Sequence, residues 1–138
     1  MELQILTVEE VIDINRFVVS LNNEEFGILN YGLIDQSVNS ICSSFGGVDF
    51  YPTLFDKAAQ LCYSLAMNHC FKDGNKRTGL MSMLTFLKLN NVNVLNLNHN
   101  SLVKLLYGVA EGQKSKSDIV RYLKSNLNTM WRISYVFN

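Results

Sequence analysis

Proline is nearly absent, with Pro52 the only one in 138 residues. A chain so poor in helix breakers, with 48% apolar residues, suits a compact, mainly helical globule and excludes a disordered or proline-rich tract. An excess of either charge is also missing, since Lys+Arg and Asp+Glu stand at 12 each. A broad electrostatic footprint for DNA, RNA or an anionic membrane is therefore not expected, and any anion binding must be local. The cysteines, Cys42, Cys62 and Cys70, are odd in number and lack metal-ligand spacing. Free or buried thiols in a reducing compartment follow. No apolar run approaches the roughly 18 residues of a membrane span, and "MELQILTVEE" has neither the basic nor the apolar region of a secretory signal. The expectation is a cytoplasmic single domain over residues 1–138, with no direct nucleic-acid partner and no membrane.

What is present is helical periodicity. Thr7 and Glu10 have capping-box spacing, and Val8, Val11, Ile12, Ile14 and Val18 give the helix that follows an apolar face. Residues 22–32, rich in asparagine and glycine, read as a loop, and a short helix is expected over Leu33–Cys42. "SSFGGVDFYP" reads as a glycine-containing connection, with Pro52 in the first turn of the next helix. From there Phe55, Ala59, Cys62, Ala66 and His69 recur at helical spacing on one face. A second strong helix is expected over Asn75–Asn90, with Leu80, Met83, Leu84 and Leu87 inward. "VNVLNL" (92–97) offers one short β element, and residues 100–110 and 117–125 read as two further helices, Ser117 and Asp118 starting the last. The core then spans about 7–125. The extension 126–138, with Trp131, Tyr135 and Phe137, is too aromatic for an idle solvated end.

The chemistry lies at the joint of the two strongest helices, in "MNHCFKDGNKRTGL" (67–80). A helix N-terminus presents unpaired N–H groups and the positive end of the dipole, a cradle for an anion. Gly74 permits a tight turn and close approach of a ligand. Lys76 and Arg77 in the first turn oppose the dipole, so they are poor helix design unless a multiply charged anion sits beside them. Arg77 suits bidentate contacts to phosphate and Lys76 a point charge. Asp73 would repel a bare phosphate but would help by holding a Mg²⁺ ion that bridges phosphate oxygens. His69 is the nearby residue of a type that titrates near neutrality, hence the candidate general base. Each feature alone has a plainer reading. His69 on an apolar face reads as a core histidine, Asp73-Gly74 as a turn, Lys76-Arg77 as a solvated patch and Asn75 as a helix cap. Phe71 reads as core in either case. Their convergence on one helix start favours a site for a nucleotide or phosphate ester, with the reaction open.

"HCFKDGNKR" resembles the signature H-x-F-x-[DE]-G-N-x-R of the Fic/Doc superfamily, and residues 51–91 around it are similar to its death-on-curing (Doc) branch. The resemblance implies an all-α, Fic/Doc-type helical bundle with the active-site loop between two central helices. Fic-type AMP transferases carry a glycine after the asparagine and a second arginine three residues beyond the first. Here those positions are Lys76 and Leu80, as in the Doc branch. The resemblance then implies a toxin of a type II toxin–antitoxin pair that moves the γ-phosphate of ATP to a threonine of elongation factor Tu and blocks translation. It implies His69 as the base toward the target hydroxyl, Asp73 as Mg²⁺ ligand or nucleophile-positioning group, and Gly74, Asn75, Lys76 and Arg77 as the anion hole. Cys70 stands where proline is common, a change expected to have little chemical consequence beyond a looser joint and an oxidisable thiol. The self-inhibitory pattern [ST]-x-x-x-E-[GN] has no match, because "YGVAEG" has Tyr107 at its first position. Inhibition would come in trans, from a Phd-type antitoxin. "SSFGGVDFY" reads either as part of a target-docking flap or as an ordinary aromatic-anchored loop. Two rival readings remain open: AMP transfer to a protein hydroxyl, and a catalytically idle module that binds an antitoxin.

Overall fold

The computed structural model describes the backbone of residues 2–137 and the side chains of residues 2–127. Among these residues the chain forms α1 (Val8–Leu21), α2 (Tyr31–Ser40), β1 (Ser44–Phe45), β2 (Val48–Asp49), α3 (Leu54–Met67), α4 (Asn75–Leu89), α5 (His99–Ala110) and α6 (Lys116–Phe137). The expected all-α class is observed. The side chains of Trp131, Tyr135 and Phe137 lie outside the described residues.

Helices α3 and α4 form the most extensive contact. On α4 lies α1, on α3 lie α2 and α6, and α5 bridges α4 and α6. Of the five residues expected on one face after Pro52, the four within α3, Phe55, Ala59, Cys62 and Ala66, are buried; on α4 Leu80, Met83 and Leu87 are buried and Leu84 is partly buried against the core. The helices close tightly because Gly79 of α4 has no side chain where it crosses α3. A Cβ there would stand 2.6 Å from the Cys62 carbonyl oxygen. Burial pushes the Cys62 thiol up to about 12.

Local chemistry sets the helix starts. At α1 the expected capping box forms: the Thr7 hydroxyl accepts from the Glu10 N–H at 3.1 Å, and the Glu10 carboxylate accepts from the Thr7 N–H at 3.0 Å. Thr53 and Asp56 form the same reciprocal pair at α3. This corrects the expected place of Pro52, which precedes the cap rather than occupying the first turn. Asn30 caps α2 by accepting from the Leu33 N–H, so this helix starts two residues before expectation. For α6 the Asp118 carboxylate accepts from the Ser115 N–H at 2.8 Å, and the helix begins at Lys116.

The β structure falls elsewhere than expected. Residues 92–97 form no strand; instead Ser44 pairs with Asp49 and Phe45 with Val48 in an antiparallel hairpin. Gly46 and Gly47 turn it with φ of +59° and +81°, two positive angles that a tight hairpin turn of this hand requires. Lys57, only 8% exposed, donates to the Tyr51 carbonyl and lies 3.7 Å from the Asp49 carboxylate, tethering the hairpin to α3. The chain has no helix, among its described residues, long and apolar enough to cross a membrane.

Candidate active site

The motif occupies the loop between the C-terminus of α3 and the N-terminus of α4. Helix α3 ends at Met67 with Asn68 as its cap, and His69 follows in the left-handed region at φ +52°. His69 is thus outside the helix and exposed, not on the apolar face that helical spacing assigned to it. The left-handed residue turns its side chain out of the α3 stripe, which is what the plainer reading as a core histidine needed it to join. Cys70 and Phe71, next along, are buried at 0% and 1% exposure and anchor the loop. Burial pushes the Cys70 thiol up, which opposes the ready oxidation its position suggested.

Asn75 holds the loop closed on itself. Its Oδ1 accepts from the Phe71 N–H at 3.0 Å, and its Nδ2 donates to the Phe71 carbonyl at 2.8 Å. Both functions of the side-chain amide are committed there, so what Asn75 can offer an anion is its backbone N–H. Gly74 stands at the N-cap of α4 with φ +76° and brings no capping side chain. The first intrahelical bond runs from the Thr78 N–H to the Gly74 carbonyl at 2.8 Å. The N–H groups of the first turn, on Asn75, Lys76 and Arg77, have no intrahelical acceptor by geometry. The left-handed φ favours glycine at 74, and a Cβ there would be a tight fit, 3.0 Å from Val19 Cγ1 and 3.2 Å from Val18 Cγ2.

The loop preceding α2 brings residues to the site that sequence reasoning missed. Ile28 forms an isolated antiparallel bridge with Phe71, the Leu29 N–H donates to the Cys70 carbonyl at 2.9 Å, and the Lys72 N–H donates to the Gly27 carbonyl at 2.8 Å. This pairing lays Glu24 and Glu25 against the motif. The Glu25 N–H donates to Asp73 Oδ2 at 3.1 Å, the Glu25 carboxylate pairs with Lys72, and the Glu24 carboxylate pairs with Arg77. The Glu25 hydrogen bond and charge raise the Lys72 pKa. Nothing in "NNEEFG" distinguishes these glutamates from solvated loop acids. Lys76 leaves the same helix turn toward α5, with Nζ 5.7 Å from the centre of the Tyr107 ring.

From α1 comes Asn15, fully buried. Its Nδ2 donates to the Asp73 carbonyl at 2.9 Å and to Thr78 Oγ1 at 3.0 Å, while its Oδ1 finds no partner. A polar residue within a face of Val11, Ile12, Val18 and Val19 was the available signal for it. Two cavities of about 530 Å³ and about 550 Å³, one at α3 and α6 and one on α5, contain no motif residue. The motif is separate from both. It offers an anion the uncapped start of α4 with one guanidinium and one ammonium in the first turn, and it sets an exposed imidazole and a half-buried carboxylate in the same loop.

Comparison with known proteins agrees with this geometry. The model of the Fic/DOC family matches residues 5–87. The chain is 48% identical over 68 residues to Toxin Doc of Mycolicibacterium smegmatis, covering 49% of this chain and 52% of that protein. It is 38% identical over 71 residues to Protein kinase doc of Escherichia phage P1, covering 51% of this chain and 55% of that protein. The chain spans about half the length of these curated relatives. Both bear the Doc name, in line with the death-on-curing branch that the motif resembles. With more than half its length matched by the family model, the chain belongs to the Fic/DOC family.

Proposed function

We propose that the protein is the toxin of a bacterial type II toxin–antitoxin pair, a kinase that moves the γ-phosphate of ATP to a threonine hydroxyl of elongation factor Tu. The observation that carries this reading is the start of α4, a left-handed Gly74 without a capping side chain, followed by Lys76 and Arg77. Such a start is wasteful as a helix terminus and suited to a phosphate. The Doc names of the two relatives and the Lys76 and Leu80 pattern favour phosphoryl over adenylyl transfer.

In this mechanism His69 accepts the proton of the attacking hydroxyl. The new bond forms between that oxygen and the γ-phosphorus, the bond to the β-phosphate oxygen breaks, and ADP leaves. First-turn N–H groups, Lys76 and Arg77 stabilise the charge on the transferring group, the main demand of phosphoryl transfer. Among the described residues no cluster of three or more His, Cys, Asp or Glu could enclose a metal. Mg²⁺ would fit the site in its other mode, with one carboxylate and substrate phosphates as ligands, and the half-buried Asp73 would supply that carboxylate. The ion would neutralise phosphate charge. Control falls to a Phd-type antitoxin whose C-terminal segment folds onto the toxin, and the cytoplasm is the compartment where elongation factor Tu is met.

Incubation with ATP, Mg²⁺ and elongation factor Tu, followed by weighing of the factor, tests the reading. A phosphoryl-sized gain is expected; an adenylyl-sized gain would establish AMP transfer instead, and no gain would reject this target. Expression without antitoxin should arrest growth, an effect that an idle antitoxin-binding module would not produce. A further expectation concerns Glu24, whose carboxylate competes with phosphate for Arg77. Both side chains are about one-third exposed, so screening keeps the pair weak. Glu24→Gln should tighten ATP binding by up to about fivefold, read by calorimetric titration; weaker binding would show that Glu24 orients Arg77 instead of occupying it.

A further inference from the structure

We propose that Asn15 is a positioning residue of the phosphate site, setting the direction of the Asp73–Gly74 peptide from the core face of α1. The inference rests on the function proposed above and adds to it a residue 58 positions before Asp73.

The buried residues of α1 are Val11, Ile12, Asn15, Val18 and Val19. Asn15 alone among them is polar, with 0% exposure. Packing or solubility gives no reason for an amide there, and its Oδ1 is left without a partner. What the amide supplies is two donors from one nitrogen, and they straddle Gly74. One meets the Asp73 carbonyl immediately before it, the other the Thr78 hydroxyl one helical turn after it. The carbonyl can only accept, so chemistry fixes which amide atom faces it.

The consequence follows from peptide geometry. In a planar trans peptide the C=O and the next N–H point in opposite directions. With the Asp73 carbonyl drawn toward α1, the Gly74 N–H is turned to the side away from α1. The side chains of Val18, Val19 and Asn15 sit 3.0 to 3.5 Å from where a Gly74 Cβ would be, so this turn packs directly against α1. Asn15 thereby orients the donor that opens the anion cradle without itself reaching the substrate.

The test uses Asn15→Leu, close in size and apolar like its neighbours, and Asn15→His, which keeps one ring N–H donor. For the folded Asn15→Leu protein, kcat for transfer should fall at least tenfold with KM for ATP changed less than threefold, and Asn15→His should recover part of the loss. In ¹⁵N-labelled protein the Gly74 amide resonance should move on adding ATP with Mg²⁺, and Asn15→Leu should lose at least half of that movement. This readout needs no turnover, so it remains available if the wild type proves not to be a kinase, an outcome that mass measurement of the target would reveal separately. Wild-type kcat or an unchanged Gly74 response in folded Asn15→Leu overturns the proposal. Failure of both variants to fold overturns it too, in favour of a purely architectural role.

Discussion

Replacing His69 by alanine is expected to lower phosphoryl transfer by about 10²–10⁴-fold, the usual contribution of a positioned general base, while the protein stays folded. The fold should survive because the residue is exposed, and surface changes of this kind usually stay within about 0.5 kcal/mol. One complication is backbone strain. His69 sits at φ +52°, a region where histidine, asparagine and aspartate are enriched and alanine is less at ease. His69→Asn separates the two effects, because asparagine tolerates the same backbone yet cannot accept a proton near neutrality. Both variants should lose transfer while binding ATP nearly as the wild type does, since the cradle at α4 is untouched. Activity within a few-fold of wild type in His69→Asn would remove His69 from the base role, and only His69→Ala losing activity would point to loop geometry. Transfer by wild type and variants is compared by mass spectrometry of the target at equal ATP saturation.

Much of this site is legible in the sequence because its parts are consecutive. A glycine helix start, two cations in the first turn and a histidine within nine residues are visible without a fold, and the long apolar periods of α3 and α4 place them at a joint. The side of the helix that His69 faces is not legible. Its spacing from Ala66 continues the buried stripe, and only the break at Asn68 with a left-handed residue after it carries the imidazole outward. A positive φ at a residue other than glycine leaves little trace in a sequence. The hairpin was missed for a different reason. Its strands are two residues each, too short for alternation to register, and only the Gly46-Gly47 pair hints at them. The loop carrying Glu24 and Glu25 was illegible because its structure comes from pairing with Cys70 and Lys72 across more than forty residues. Asn15 lies between these cases. The apolar period of α1 marks position 15 as inward, yet the period alone does not say what a buried amide holds.

The second large effect is expected at Gly79, which plays no chemical role. A Cβ at this position would meet the Cys62 carbonyl oxygen at 2.6 Å, the Ala66 nitrogen at 3.2 Å and the Ala66 Cβ at 3.4 Å. Two of the three are backbone atoms of α3, so no side-chain rotation relieves the clash and the helices must separate. Glycine in a helix interior is itself unfavourable by about 0.5–1 kcal/mol against alanine, so Gly79→Ala starts with that gain. Overpacking of about 1–3 kcal/mol should outweigh it, and Gly79→Val, larger and branched, should cost about 3 kcal/mol or more. Against a total stability of about 5–15 kcal/mol, thermal melts should rank wild type, then Gly79→Ala, then Gly79→Val, the last lower by on the order of 10 °C. The same displacement reaches the chemistry. The joint of α3 and α4 carries His69 on one side and the proposed anion cradle on the other, and a misplacement near 1 Å can cost about 100-fold in rate. Gly79→Ala protein that remains folded should therefore lose transfer by more than its fraction unfolded explains. A Gly79→Ala melt at or above that of wild type would mean that the helices accept the methyl group, and the close crossing would no longer account for how the site is held.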